Sequence, residues 1–268
     1  MGKVYLVGAG PGAPDLLTLR AARLLESAQV VLHDALVPRA ILALATRARF
    51  IDVGKRYGRI STEQRFINRA LVEAARTHAI VVRLKGGDPM LFGRAQEEID
   101  ALAAAGIECE VVPGVTAALA TAASLKVSLT KRGVARNVAF VTARQGKGEP
   151  ETEWLATARA ADTVALYMAA GQAAEIAAKL IAAGRAPSTP AALIENASLA
   201  EERRHFLTLA ELAAGRGAVV EGRAGNRELR GGPVLMVVGE VFRDILQRSQ
   251  TRIETHEQPR QVHDRNHH

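Results

Sequence analysis

Short aliphatic runs recur through residues 3–112 at intervals that leave room for one helix between each pair. This alternation limits the possible folds more than any other feature of the chain. Lys3-Val4-Tyr5-Leu6-Val7 (strand 3–8), Val30-Val31-Leu32, Phe50-Ile51-Asp52-Val53, Ile80-Val81-Val82-Arg83-Leu84 and a run at 108–112 read as five strands. Helices fit at 15–27, 38–46, 61–76 and 93–105, the third opened by Ser61-Thr62-Glu63-Gln64 with capping-box spacing. Strands that alternate with helices predict an α/β fold: an open parallel five-stranded sheet covered on both faces. Hydrophobic residues make up 48% of the 268 and aromatics only 4%, so the cores must be aliphatic. That suits strands buried on both faces.

Pro113-Gly114-Val115-Thr116 breaks the pattern and reads as a linker. An Ala-rich helix at 117–124 follows, then strands at 138–142, 163–168, 191–194, 204–207 and 234–238. Helices fit at 151–160, 172–183 and 208–214, and Thr208-Leu209-Ala210-Glu211 is a second capping-box match. The gap between 191–194 and 204–207 is too short for a helical crossover, which predicts a hairpin and a mixed sheet. Two α/β domains are therefore expected, at 1–113 and 114–246. A polar tail at 247–268, holding four of the seven histidines, is expected to be disordered rather than metal-binding.

Several function classes drop out. Cys109 is the one cysteine, which excludes an internal disulfide or a Cys-rich metal site; in a strand end it reads as inert. The chain opens directly on a strand pattern, with no charged leader and apolar stretch, and no apolar run approaches the ~18 residues of a membrane span. A cytoplasmic protein is expected. The net charge of +7 favours anionic partners. The basic residues are dispersed, however, and no nucleic-acid-binding signature accompanies them.

Ligands of open α/β sheets bind at the carboxyl ends of the strands. Here those ends carry Gly8-Ala9-Gly10-Pro11-Gly12-Ala13, His33-Asp34, Gly54-Lys55-Arg56, Lys85-Gly86-Gly87-Asp88-Pro89 and Pro113-Gly114-Val115-Thr116. Taken singly, a glycine loop can be a tight turn, Asp34 a helix cap, and Lys55 and Arg56 solvated charges. Five decorated ends on one edge are hard to explain as independent turns. Gly8-x-Gly10-x-x-Ala13 with Asp34 downstream also matches a dinucleotide fingerprint, which would make the protein an NAD-dependent oxidoreductase. Pro11 and Pro14 speak against it: Pro11 offers no N–H to a pyrophosphate, and Asp15 would repel one.

The segments Val4-Tyr5-Leu6-Val7-Gly8-Ala9-Gly10-Pro11-Gly12 with Leu16-Leu17-Thr18-Leu19, Val82-Arg83-Leu84-Lys85-Gly86-Gly87-Asp88-Pro89-x-x-Phe92-Gly93-Arg94, and Val111-Val112-Pro113-Gly114-Val115-Thr116-Ala117 resemble the signatures of the tetrapyrrole methylase family, in the family's order. The resemblance covers about residues 3–243. It implies two α/β domains with S-adenosylmethionine in the cleft between them, commonly in a homodimer. It implies C-methylation of an anionic tetrapyrrole: uroporphyrinogen III at two ring carbons, giving precorrin-2 by way of precorrin-1, or else a later precorrin or another acceptor. By resemblance the cofactor contacts fall on Pro11, Gly86, Gly87, Asp88, Leu91, Thr116, Ala117, Met168 and Ala197. The acid–base pair falls on Asp34 and Lys55, and no metal is implied. Departures from the common pattern are Ala95-Gln96 in place of Gly-Gly, Lys131-Arg132-Gly133 in place of His-Arg-Asp, and alanine at 169 and 197.

Overall fold

The computed structural model describes residues 2–54, 64–144, 153–169, 171–216, 219–222, 225–228 and 232–257. The chain divides into two compact units: Met1–Lys126 with Asn196–Glu202, and Val127–Glu195 with Arg203–His268.

The first unit contains β1 (Lys3–Gly8), α1 (Leu19–Ser27), β2 (Val30–His33), α2 (Arg39–Leu42), β3 (Arg49–Asp52), α3 (Gln64–Thr77), β4 (Ile80–Lys85), α4 (Ala95–Ala104), β5 (Cys109–Val112) and α5 (Ala117–Leu125). The strands form one sheet in the order β3-β2-β4-β1-β5, parallel throughout. Side chains of a strand alternate between faces, and both faces here are aliphatic. Val4, Leu6, Val30, Leu32 and Val81 pack with Ile67, Leu71 and Ala75 of α3 and Leu102 of α4. Val7, Val31, Val82 and Leu84 pack with Ala21 and Leu25 of α1 and Ile41 of α2. Each fully buried leucine contributes roughly 1.5–3 kcal/mol of transfer free energy. The expected open parallel five-stranded sheet is therefore present.

The second unit contains β6 (Val138–Thr142), α6 (Trp154–Ala160), β7 (Thr163–Tyr167), α7 (Ala173–Ala182), β8 (Pro190–Glu195), β9 (Arg203–Thr208), α8 (Leu209–Ala213), β10 (Val219–Gly222), β11 (Gly225–Glu228), β12 (Val234–Gly239) and α9 (Arg243–Glu257). Its sheet runs β6-β7-β12-β8-β9. The β6–β7 pair is parallel and the other pairs antiparallel, which is the expected mixed sheet. β8 and β9 form the expected hairpin. Thr208 and Glu211 form the expected capping box, each side chain accepting the other residue's backbone N–H.

Four readings shift. The first helix starts at Leu19 rather than 15, because Pro14–Leu16 forms a separate 3-10 turn and Thr18 caps α1 by accepting from the Ala21 N–H. The helix expected over 38–46 is a single turn, and the capping box at Ser61 lies outside the described residues. Pro113-Gly114 is not where the units divide: the Gly114 N–H donates to the Asp88 carboxylate at 3.0 Å, which holds the segment inside the first unit. The segment from 247, expected to be disordered, is helical through Glu257, and only residues 258–268 lie outside the described set.

That helix docks early. Val241, Phe242 and Leu246 are buried, whereas Gln247, Arg248 and Gln250 are exposed. Deleting 248–268 is therefore expected to leave the melting temperature within a few degrees of the intact chain, as read by thermal circular dichroism. A large fall would show that the removed residues pack.

Cys109 is half-buried in β5. Burial, reinforced by the Glu98 carboxylate, pushes its thiol up to about 11, so the reactive thiolate is scarce at neutral pH. No helix among the described residues is long and apolar enough to cross a membrane.

Candidate active site

The central strands β4, β1 and β5 end together, and their loops are laced into one floor. Ala9 N–H donates to Lys85 O at 2.7 Å. Gly87 N–H donates to Gly10 O at 2.8 Å, and Gly10 N–H returns to Gly87 O at 3.2 Å. The first and fourth strand-end loops thus continue pairing past the sheet edge as an antiparallel bridge. A Cβ on Gly8 would lie 2.6 Å from Gly114 Cα and 2.7 Å from Gly87 O. Gly8 is therefore required by the close approach of three loops rather than by a ligand.

Gly86 and Gly87 differ from Gly8. A Cβ on Gly86 would meet only Leu36 Cβ, at 3.9 Å, and one on Gly87 only Thr116 Cα, at 4.0 Å. Main chain here faces open space. Gly87 has φ +65°, where any other residue is strained. The Asp88 carboxylate is engaged by protein at both oxygens: Oδ1 accepts from Met90 N–H at 2.8 Å and Oδ2 from Gly114 N–H at 3.0 Å. Its side chain braces the floor. Leu91 N–H donates to Asp88 O at 3.3 Å, and Thr116 precedes α5 as its N-cap residue.

The segment 196–202 is part of this unit and lies against the first loop. Ser198 Oγ accepts from Ala13 N–H at 3.2 Å, and a Cβ on Gly12 would lie 2.8 Å from the Leu199 side chain. Ala197, buried, immediately precedes these contacts in the chain. Of the expected cofactor contacts, Pro11, Gly86, Gly87, Asp88, Leu91, Thr116, Ala117 and Ala197 thus belong to one unit and flank one floor. Met168 belongs to the other unit, where it follows β7 with φ 57° and its side chain exposed. Lys55 lies outside the described residues.

Asp34 follows β2, its N–H donating to Leu84 O at 3.2 Å. Its Oδ1 accepts from Arg83 Nη2 at 2.5 Å. Arg83 Nε donates to Glu98 Oε1 at 3.0 Å, and Lys85 Nζ lies 3.0 Å from each Glu98 oxygen. Side-chain exposure is 3% for Arg83 and Lys85, 0% for Glu98 and 32% for Asp34, so the network reaches solvent at its Asp34 end. For Arg83, burial opposes the charge, but the Asp34 and Glu98 carboxylates outweigh it and raise its pKa above the ordinary arginine value. For Lys85, burial and then the Arg83 charge hold the ammonium below the ordinary lysine range, against the pull of Glu98.

Arg83, Lys85 and Glu98 were not among the expected site residues. Part of the signal was present, since a cation inside an aliphatic strand, Arg83, requires an anion once buried. Some of the departures from the family pattern have a clear local setting. Ala95 packs in the core, and Gln96 is exposed and donates to Asp100 Oδ1 at 2.7 Å. Gly133 takes φ +79° in the turn closed by mutual hydrogen bonds between Lys131 and Ala135.

The dinucleotide reading loses its structural basis. The glycine loop leads into a 3-10 turn, and α1 begins only at Leu19 with the Ala21 N–H already taken by Thr18. No helix N-terminus is presented at the loop for a diphosphate. Among the described residues, no group of three or more His, Cys, Asp or Glu is placed to hold a metal.

Residues 3–213 match the model of the tetrapyrrole (corrin/porphyrin) methylases. The chain is 47% identical, over 91% of its own length and 96% of the relative's, to a uroporphyrinogen-III C-methyltransferase of Pseudomonas aeruginosa. It is 47% identical over 91% of its length to a siroheme synthase of Azotobacter vinelandii, of which it spans 51%. A solved uroporphyrin-III C-methyltransferase of Thermus thermophilus, complexed with S-adenosylhomocysteine, superposes with a TM-score of 0.77 at 43% identity, covering 91% of this chain and all of that one.

Proposed function

The chain belongs to the tetrapyrrole methylase family, and from that premise we propose that it methylates uroporphyrinogen III at two ring carbons, giving precorrin-2 by way of precorrin-1. S-adenosylmethionine is the methyl donor. The observation that carries the reading is the open main-chain face at Gly86 and Gly87, in a chain whose relative of like fold is complexed with S-adenosylhomocysteine. The siroheme synthases are about twice as long, and what they do as whole proteins is not carried over.

The donor supplies an electrophilic methyl on a sulfonium: the ring carbon forms a C–C bond as the S–C bond breaks, leaving S-adenosylhomocysteine and an extra positive charge on the ring system. The protein's part is to align the two reactants, exclude water and take the proton that must then leave. The floor fits the donor, which has no phosphate to cradle. Main-chain groups at 86–88 and 116–117, with Pro11 and Ala197 alongside, bind it. Met168 and Leu91 keep the donor contacts that the family resemblance gives them. Asp34 accepts the proton, and Lys55 donates one or steadies negative charge. The surplus of Lys and Arg suits a polycarboxylate acceptor. A homodimer in the cytoplasm completes the reading.

Calorimetric titration tests the donor: S-adenosylhomocysteine binds and NAD does not. Turnover with labelled methyl donor and uroporphyrinogen III then yields a product carrying two labels. Binding of NAD alone overturns the reading, and a product of a later precorrin alone relocates the enzyme within the family.

Gly86→Val tests the floor. The position has a negative φ and space for a side chain, so the variant is expected to fold. Its affinity for S-adenosylhomocysteine should fall by about tenfold or more, equivalent to about 1.4 kcal/mol. Unchanged affinity in the folded variant removes this loop from the site.

A further inference from the structure

We propose that Arg83 is the positioning residue for Asp34: from the interior of the first unit its guanidinium holds the carboxylate in place for proton transfer. The proposal rests on Asp34 being the proton acceptor. It adds a residue that no feature of the strand-end loops points to.

All three guanidinium nitrogens are engaged. Nε is held by Glu98 at 3.0 Å, Nη1 donates to Leu84 O at 3.2 Å and lies 3.5 Å from Leu32 O, and Nη2 takes Asp34 Oδ1 at 2.5 Å. A planar fork held at Nε and Nη1 presents Nη2 in one direction only. Glu98, fully buried and clamped on its other side by Lys85, is the fixed point of the arrangement. Asp34 is tied to β4 twice, by its backbone N–H on Leu84 O and by its side chain on Arg83. Such double attachment removes the rotamer freedom that a partly exposed carboxylate otherwise has. A reacting group misplaced by about 1 Å can cost about 10²-fold in rate. Among the described residues, the charged and titratable groups on the elements around Asp34 include Arg83 and Lys85 on β4, Glu98 on α4, His33 on β2 and Arg49 and Asp52 on β3. Of these, Arg83 hydrogen-bonds the carboxylate.

The experiment compares Arg83→Gln and Arg83→Lys in the full chain, each also combined with Asp34→Asn. Arg83→Gln is expected to lower kcat by about tenfold or more, with KM for both substrates nearly unchanged. Arg83→Lys keeps a cation on Glu98 and falls between wild type and Arg83→Gln in kcat. On the Asp34→Asn background, loss of Arg83 costs little more. Wild-type kcat in folded Arg83→Lys and Arg83→Gln overturns the proposal. So do losses that multiply fully with that of Asp34→Asn, or a parallel fall in S-adenosylhomocysteine affinity and stability that accounts for the loss in rate. If Arg83→Gln does not fold, Arg83→Lys carries the same comparison; if neither folds, Arg83 is structural and the proposal fails. Full turnover in Asp34→Asn alone is a different result: it removes the base assignment itself.

Discussion

Asp34→Asn should lose methyl transfer by about 10²–10⁴-fold, or roughly 3–5 kcal/mol of barrier, while binding S-adenosylhomocysteine normally. Asparagine keeps the shape of the side chain and an oxygen that can accept from Arg83 Nη2, now 2.5 Å from Asp34 Oδ1. What it loses is basicity. A helix-capping role predicts something else, since Asn is itself a good cap and neither rate nor stability would move. The ion pair adds a small structural cost, because Arg83 would keep Glu98 but lose its second carboxylate. A fall of a few degrees in melting temperature is consistent with that. Single-turnover transfer of labelled methyl is the measurement, and turnover within a few-fold of wild type rejects Asp34 as the base.

Glu98→Ala should be the most damaging single change to the first unit's stability. Glu98 has no exposed surface and lies between Arg83 and Lys85. Its removal leaves two buried cations facing each other without their anion, which costs about 3–5 kcal/mol. At about 2–4 °C per kcal/mol for a chain of this size, the melting temperature falls by roughly 6–20 °C. The loss should depend on pH, with a sign set by Lys85. Its folded pKa already lies below the unfolded value, through burial and then Arg83, and Glu98 works against that lowering. Without Glu98 it drops further. A charged Lys85 then opposes folding fully below that folded pKa, and the penalty eases as pH rises through it. Thermal unfolding of both proteins across neutral to alkaline pH checks this. A difference that is small, or flat with pH, would show that the interior tolerates the two cations.

Much of this was legible in the chain. Aliphatic runs bounded by glycine, acid or base mark the central strands of both sheets, because burial on two faces favours apolar side chains; Arg83 within β4 is an interruption that Glu98 makes tolerable. Thr208 and Glu211 announced their cap because the spacing itself makes the hydrogen bonds. The parts that were not legible share a cause: their role depends on partners distant in sequence. Glu98 reads like its exposed neighbour Glu97 until α4 is laid against β4. Pro113-Gly114 has the composition of a linker, and only the Asp88 carboxylate shows that it belongs to the site. β10 and β11 are short, without the alternation that would mark them, and α9 is polar beyond Leu246, so its residues read as tail.

The placement of β1 has a consequence for synthesis. It is the first of its sheet's strands to be made, yet both of its neighbours, β4 and β5, come from far downstream: Val4 pairs with Val81 on one side and Cys109 on the other. A strand buried on both faces therefore leaves the ribosome with nothing to pair against, while β2 and β3, which are adjacent in sequence, can associate early. Closing such distant pairs is the slow step of parallel sheets. The glycine bridge between Gly10 and Gly87 can form only after that step, so the ligand floor and the centre of the sheet should appear together. The exposed run Val4-Tyr5-Leu6-Val7 is then the segment of a nascent chain most in need of chaperone cover, and its amides should be among the last to exchange with deuterium once folding is complete.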